Sequence, residues 1–113
     1  MTPSIAIELL RENAAQVADR LRALANSDRL IMLCRLSDGE ASVNELVAIT
    51  GMPQSSVSQH LATLREAGVI TARAEGQRRF YSISDPQARR IMAALCQACT
   101  PEGEERAAEP ICG

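Results

Sequence analysis

Four cysteines carry the most reactive side chains of this 113-residue chain. Cys34 lies in the mostly apolar segment 30–36, Cys96 and Cys99 lie three residues apart, and Cys112 is the penultimate residue. Two thiols can be joined by a disulfide or by additional sulfur atoms, after attack by whichever of them is ionised. Several thiolates together can instead bind a soft ion such as trivalent arsenic or antimony. Cys34 has a second interpretation, in which it has no reactive role and fills space in the core as a small apolar residue.

A second set of polar groups with possible chemistry lies between residues 54 and 60. Val57, Leu61 and Leu64 are spaced i, i+4 and i+7, so they share one face of a helix and leave the Ser and Gln side chains on the other. Short hydroxyls and amides without an acidic neighbour suit close approach to base edges in a major groove. We therefore predict a DNA-reading surface made of Gln54, Ser55, Ser56, Ser58 and Gln59. His60 would contact a phosphate or cap a neighbouring carbonyl.

The charge distribution agrees with this interpretation although the net charge of −2 does not suggest it. Residues 101–113 contain four Glu and one Arg, a net charge of −3, which leaves +1 for residues 1–100. Residues 54–90 contain six Arg and three acidic residues, a net charge of +3. Positive charge is thus concentrated where contact with DNA phosphates would need it.

The elements that must position these groups are short and mostly helical. Apolar spacing predicts a helix over 4–25, and Asn26 caps a second helix that ends near Leu36. Ser42 and Glu45 form a capping box for a third helix, and a fourth covers 54–67. The polar turn 75–77 joins two strands, 69–74 and 78–84, whose Phe80 and Ile83 we expect to pack inward. The arginines beside that turn, expected to lie along the DNA backbone, are Arg73, Arg78 and Arg79.

Asp85 and Pro86 are an N-cap and a first-turn proline, and they begin a last helix that reaches about Cys99. The predicted fold is mainly α with a small β-hairpin, a winged helix-turn-helix in the order α-α-α-α-β-β-α. One domain covers residues 1–100, and we expect residues 101–113 to form an acidic, flexible tail.

Several classes of protein are excluded by what the sequence lacks. No run approaches the ~18 apolar residues of a membrane span, and the charged N-terminal region does not resemble a signal peptide. We therefore expect a cytoplasmic location, where the cysteines would not form a structural disulfide framework. One histidine, no paired catalytic carboxylates and no glycine-rich phosphate loop argue against an enzyme, and no cofactor is expected to be required.

Four segments together resemble the ArsR/SmtB family of winged-helix repressors, over about residues 8–99. They are Ala-Asn-Ser-Asp-Arg-Leu at 25–30, Gln-His-Leu at 59–61, Leu-Arg-Glu-Ala-Gly at 64–68 and Tyr-Ser-Ile at 81–83. The resemblance implies a homodimer joined through the first and last helices. It also implies binding to double-stranded operator DNA, with release when a ligand or a thiol reaction alters the dimer.

The resemblance also bears on what is sensed. The family's cysteine pair in the third helix is replaced by the apolar sequence 46–49, and the last helix lacks the histidines of the family's zinc site. The pattern is most similar to the persulfide-sensing type that includes BigR, SqrR and YgaV, with one cysteine in the second helix and one ending the last. This implies a switch formed by Cys34 and Cys99, with Cys96 as a possible substitute, that responds to reactive sulfur species or oxidants.

Two alternatives stay open. An arsenite- or antimonite-responsive repressor would use Cys96, Cys99 and Cys112 as thiolate ligands. A protein of another class would keep the winged-helix shape as a protein-interaction module without reading DNA.

Overall fold

A computed structural model describes residues 3–98 of the chain, with side-chain burial from residue 6 to residue 97. The predicted tail 101–113 lies outside the described residues, as do Cys99 and Cys112. The elements are α1 (Pro3–Leu24), α2 (Ser27–Leu36), β1 (Ala41–Ser42), α3 (Val43–Thr50), α4 (Gln54–Glu66), β2 (Ile70–Glu75), β3 (Arg78–Ile83) and α5 (Pro86–Ala98). The predicted winged helix-turn-helix is confirmed, with α3 and α4 as its helix pair and β2 and β3 as its wing.

Local capping residues begin and end the helices that lead to the DNA-reading region. The Asn26 side chain accepts a hydrogen bond from the Arg29 backbone N–H at 3.0 Å and begins α2. Ser42 and Glu45 exchange both bonds of a capping box, at 2.8 and 3.2 Å, before α3. Gly51 ends α3 in the left-handed region with φ of 74°, a conformation that glycine adopts without steric cost.

A short strand that the sequence did not predict completes the sheet. β1 pairs antiparallel with β3, placing Ala41 opposite Tyr81 and Ser42 opposite Phe80, so the strand order is β1-β3-β2. Two residues are too few to show an alternating pattern, and their strand conformation depends on the distant partner in β3. The addition ties the wing to the segment between α2 and α3.

The prediction that Phe80 packs inward is wrong, whereas that for Ile83 is confirmed. Tyr81 and Ile83 are buried, and because successive strand residues point to opposite faces, Phe80 lies on the other side of β3. There the guanidinium groups of Arg73 and Arg78 lie over its ring, 4.8 and 5.3 Å from the centroid. Phe80 is therefore a half-buried platform for wing arginines.

The core is aliphatic and centres on α2 and α4. Buried side chains from these two helices are joined by residues of α3, the sheet and α5, including Leu46, Ile83 and Met92. By contrast, several large apolar side chains of α1 are about half exposed, among them Ile7, Leu9, Leu10 and Leu21. Among the described residues no helix is long and apolar enough to cross a membrane.

Candidate nucleic-acid interface and thiol site

The polar face of α4 is presented to solvent as its spacing indicates. Val57, Leu61 and Leu64 are at most 1% exposed and fix the rotation of the helix about its axis. The opposite side chains of the predicted reading set are exposed, namely Gln54, Ser55, Ser58 and Gln59. Ser56 belongs to the same predicted set but is half-buried, so it lies at the border between the two faces.

The turn between α3 and α4 is held by its own hydrogen bonds. The Thr50 hydroxyl donates to the Leu46 carbonyl at 2.7 Å and accepts from the Met52 N–H at 3.2 Å. The Pro53 carbonyl then accepts from the N–H of Val57 at 3.1 Å in the first turn of α4. These bonds fix where α4 begins relative to α3, so the exposed face starts at a defined place on the domain.

His60 of α4 lies against the beginning of α2. Its Nδ1 is 3.4 Å from Nη1 of Arg29, and its Nε2 is 3.9 Å from the Asp28 carboxylate. Arg29 in turn donates to the Ala23 carbonyl at 2.6 Å. The His60 side chain is 20% exposed, so its most direct contacts are with α2, and contact with a DNA phosphate stays a prediction.

The three wing arginines differ in how far they are engaged within the protein. Arg73 pairs with both oxygens of Glu40, at 2.6 and 2.8 Å, and with Glu75 at 3.3 Å. These bonds raise the pKa of the Arg73 guanidinium and hold that of Glu40 below its usual range. Arg78 and Arg79 are exposed, and Arg79 has no ion-pair partner among residues 3–98. Sequence reasoning missed Glu40, whose partner lies 33 residues away.

Two thiols from distant segments meet between α2 and α5. The Sγ atoms of Cys34 and Cys96 are 2.7 Å apart, and both residues are free cysteines of intermediate burial. Cys96 was named as a substitute for Cys99 in the predicted switch, and the structure brings Cys96 to Cys34. The sequence of α5 indicates that Cys96 faces the core. Ala88, Met92 and Cys96 are spaced i, i+4 and i+8, so they share the inner face of the helix.

The environment of Cys34 favours its protonated form. Burial is the largest cause, followed by the hydrogen bond with Cys96 and the negative charges of Cys96 and Asp38, and together they raise the pKa of Cys34 from 9.0 to about 11. Because the thiolate is the nucleophile, this raised pKa makes Cys34 a poor attacking group at neutral pH. Within the described part of the chain no cluster of three or more potential metal ligands is present.

A groove opens beside the thiol pair. Its volume is about 530 Å³, and residues from three helices form its walls. Both Cys34 and Cys96 line it, together with apolar side chains that include Ile31, Ile49 and Leu95.

Comparison with known proteins decides the family. Residues 26–72 match the model of the bacterial regulatory protein, arsR family. The chain is 38% identical over 99 residues to the biofilm growth-associated repressor of Agrobacterium fabrum, covering 87% of this chain and 85% of that protein. It is 39% identical over 93 residues to the transcriptional regulator YgaV of Escherichia coli, covering 81% and 94%. The chain belongs to the ArsR family.

Solved structures of ArsR-family and related regulators share the fold. Reduced HlyU from Vibrio cholerae superposes with a TM-score of 0.75 at 38% identity, over 80% of this chain and 95% of that one. A homodimeric winged helix-turn-helix DNA-binding domain from Mycobacterium bovis gives 0.69 at 32% identity, over 96% and 95%. The chain is therefore an ArsR-family DNA-binding transcriptional regulator and not an enzyme, and its similarity to BigR and YgaV in sequence and fold is confirmed.

Proposed function

We propose that this ArsR-family regulator is a homodimeric repressor that leaves its operator when Cys34 and Cys96 are joined through sulfur. The observation that carries the proposal is the 2.7 Å separation of the two Sγ atoms. A disulfide bond is about 2.05 Å long, so the thiols are not bonded but need little movement to become so. The inducers that fit this chemistry are reactive sulfur species and oxidants.

The DNA-binding half of the proposal is supported by the exposed polar face of α4 and the wing. The exposed amides and hydroxyls of Gln54, Ser55, Ser58 and Gln59 would reach base edges, as the N-terminal part of a recognition helix does. Arg78 and Arg79 would neutralise phosphates and supply affinity that does not depend on sequence.

Dimerisation is supported by the exposed apolar side chains of α1. Ile7, Leu9, Leu10 and Leu21 are each between 47% and 57% exposed. Four large apolar side chains exposed on one helix of a small domain indicate an interface with another protein surface. A second copy of the chain would cover it, and the related Mycobacterium bovis domain is a homodimer.

We assign the first attack to Cys96, because the raised pKa of Cys34 disfavours its thiolate. The Cys96 thiolate attacks the outer sulfur of a persulfide RSSH, the S–S bond breaks, and RSH leaves once it has taken up a proton. Cys34 then gives up its proton and attacks the Cys96 sulfur, so that a Cys34–Cys96 disulfide forms and hydrogen sulfide leaves. The two thiols are oxidised by two electrons and the persulfide is reduced. A longer polysulfide would leave extra sulfur atoms in the bridge.

The link from this site to DNA runs through α2. Cys34 lies near the end of α2, whereas Asp28 and Arg29 at its beginning contact His60 of α4. Between these points Met32 and Leu33 are fully packed in the core, so α2 would shift as a rigid body. A covalent bridge to α5 would therefore change the contact between α2 and the recognition helix.

A gel-shift series on the DNA upstream of its own gene tests the proposal. The unmodified protein is expected to bind and to be released by inorganic polysulfide. Cys34→Ser and Cys96→Ser should bind and resist release, while Cys99→Ser and Cys112→Ser should behave as wild type. Release that needs Cys99 but not Cys96 would instead establish the pair implied by the family resemblance.

The same experiment separates the two other interpretations. Arsenite in place of polysulfide, followed by mass spectrometry, would reveal bound arsenic if Cys96, Cys99 and Cys112 form a metalloid site. Failure to shift any DNA at low salt would favour a protein-interaction module and overturn the repressor.

A further inference from the structure

We propose that the groove beside Cys34 and Cys96 selects an uncharged sulfur electrophile with an apolar body, of the dialkyl polysulfide class, over anionic ones. The inference rests on the proposed thiol switch and names the class of molecule that reaches it. Three features carry it: a largely apolar groove of suitable size, two thiols in its wall, and the carboxylate of Asp38 in its lining.

The size and lining of the groove suit a small apolar molecule. About 530 Å³ lies within the ~300–1,000 Å³ range of small-molecule sites in proteins. Ile31 of α2 and Ile49 of α3 are 51% and 53% exposed, so a bound alkyl group would remove apolar surface from water. Met92 and Leu95 of α5 line it too, on the helix that carries Cys96.

The two charged residues of the groove do not favour an anion. The Arg35 guanidinium donates to the carbonyls of Gly39 and Glu40 at 3.1 and 3.3 Å and lies 3.6 Å from the Glu45 carboxylate. Its charge is therefore already paired. Asp38, also in the lining, is close enough for its charge to raise the pKa of Cys34. The same charge would repel the carboxylates of a peptide thiol such as glutathione.

The reaction with a dialkyl trisulfide balances without another reagent. The Cys96 thiolate attacks the central sulfur of RSSSR, and one alkyl thiolate leaves and takes up a proton. Cys34 loses its proton and attacks that same transferred sulfur, expelling the second alkyl thiol. The products are a Cys34–S–Cys96 trisulfide bridge and two molecules of RSH, so two thiols are oxidised as the trisulfide is reduced.

Rates of thiol modification in the absence of DNA test this selectivity. The full chain is mixed with dipropyl trisulfide or with glutathione trisulfide, and bridged protein is counted by mass spectrometry over time. We expect the dipropyl compound to react at least about tenfold faster, once both rates are divided by those measured with free cysteine. Equal normalised rates would overturn the proposal.

Two matched pairs of variants assign the selectivity to the groove. Ile49→Ser removes an apolar wall and should lower the dipropyl rate roughly fivefold without changing the glutathione rate, whereas Ala48→Ser on the same helix should change neither. Asp38→Asn should raise the glutathione rate, whereas Glu66→Gln, an exposed carboxylate of α4, should not. Unchanged rates for both Ile49→Ser and Asp38→Asn would overturn the proposal.

A groove covered by a second copy of the chain is a further outcome of the test. In that case Ile49→Ser would lower the dimer mass measured by ultracentrifugation and leave the ratio of the two rates intact, which overturns the ligand site. The proposed function fails separately, if bridging of Cys34 and Cys96 by either compound does not release DNA.

Discussion

The guanidinium of Arg73 forms a two-bond ion pair with the carboxylate of Glu40, with Nε–Oε2 and Nη2–Oε1 distances of 2.6 and 2.8 Å. Glu40 lies between α2 and β1, and Arg73 lies in β2, so the pair fastens the wing to the segment that leads into the helix-turn-helix. Its geometry is the bidentate one that carboxylates and phosphates both accept from arginine. Glu40 therefore occupies the position that a DNA phosphate would take on Arg73.

Glu40→Gln should strengthen binding to all DNA sequences. The change removes the charge that competes for Arg73, so the guanidinium becomes available to a phosphate. The slope of log Kd against log salt concentration should steepen by up to ~0.9, the value for one additional phosphate contact. Fluorescence anisotropy at four salt concentrations measures it. Glu12→Gln on α1 is the control for loss of one acidic charge, and an identical slope for both variants would contradict the competition.

Arg79→Ala should weaken operator and random DNA by the same factor. Because Arg79 has no ion-pair partner among the described residues, its removal takes away a phosphate contact and nothing else, and the salt slope should fall by ~0.9. Arg73→Ala should flatten the slope less, since that side chain is already paired with Glu40. A larger fall in the salt slope for Arg73→Ala than for Arg79→Ala would mean that the ion pair between Arg73 and Glu40 opens when the protein binds DNA.

Gln59→Ala should weaken binding to the operator selectively. An exposed glutamine on the reading face can form two hydrogen bonds with an adenine, and loss of such a contact costs about 1–3 kcal/mol. Titration of operator and scrambled DNA with the wild-type protein and with the variant distinguishes a loss of affinity for the operator alone from a loss of affinity for all DNA. Gln16→Ala on α1 is the matched control. Equal losses on the two DNA sequences would remove Gln59 from the reading set.

The sequence was sufficient for the features that depend on neighbouring residues. The cap at Asn26, the capping box at Ser42 and the inner face of α4 all follow from spacing within a few positions, and the structure confirms them. The strand β1 and the partner of Arg73 depend on segments more than thirty residues away, and no local pattern carries that information.

The wrong prediction for Phe80 has a specific physical cause. Phe80 and Ile83 are three positions apart, an odd offset, so a regular strand cannot place both in the core, and Tyr81 takes the inner position. The meeting of Cys96 with Cys34 depends on the rotation of α5, and the buried apolar positions of that helix place Cys96 on its inner face. The position of Cys99 stays a prediction.

Asp85→Ala should lower the stability of the domain by about 1 kcal/mol. The buried carboxylate accepts a hydrogen bond from the Ala88 N–H at 2.8 Å at the beginning of α5 and lies 3.5 Å from Arg20 of α1. Loss of such an N-cap costs ~0.5–2 kcal/mol. Asp85→Asn keeps the cap and should cost less, which urea unfolding of the two variants measures. Equal losses would mean that the ion pair with Arg20, rather than the cap, matters.

Cys34 should ionise near pH 11 in the folded protein and at lower pH once Cys96 is removed. Its pKa is raised from 9.0 to about 11 by burial first and then by Cys96, so Cys96→Ala should bring the value partway back. The pKa of Cys34 is higher in the folded protein than in the unfolded chain. The contribution of the protonated thiol to the free energy of unfolding is therefore complete below about pH 9 and is lost as the pH rises towards 11. Iodoacetamide labelling across this range, in a Cys99→Ser, Cys112→Ser background, gives the two titrations. Labelling of Cys34 with the same midpoint in both proteins would show that burial alone holds the proton, and that the two thiols do not form the coupled pair on which the switch depends.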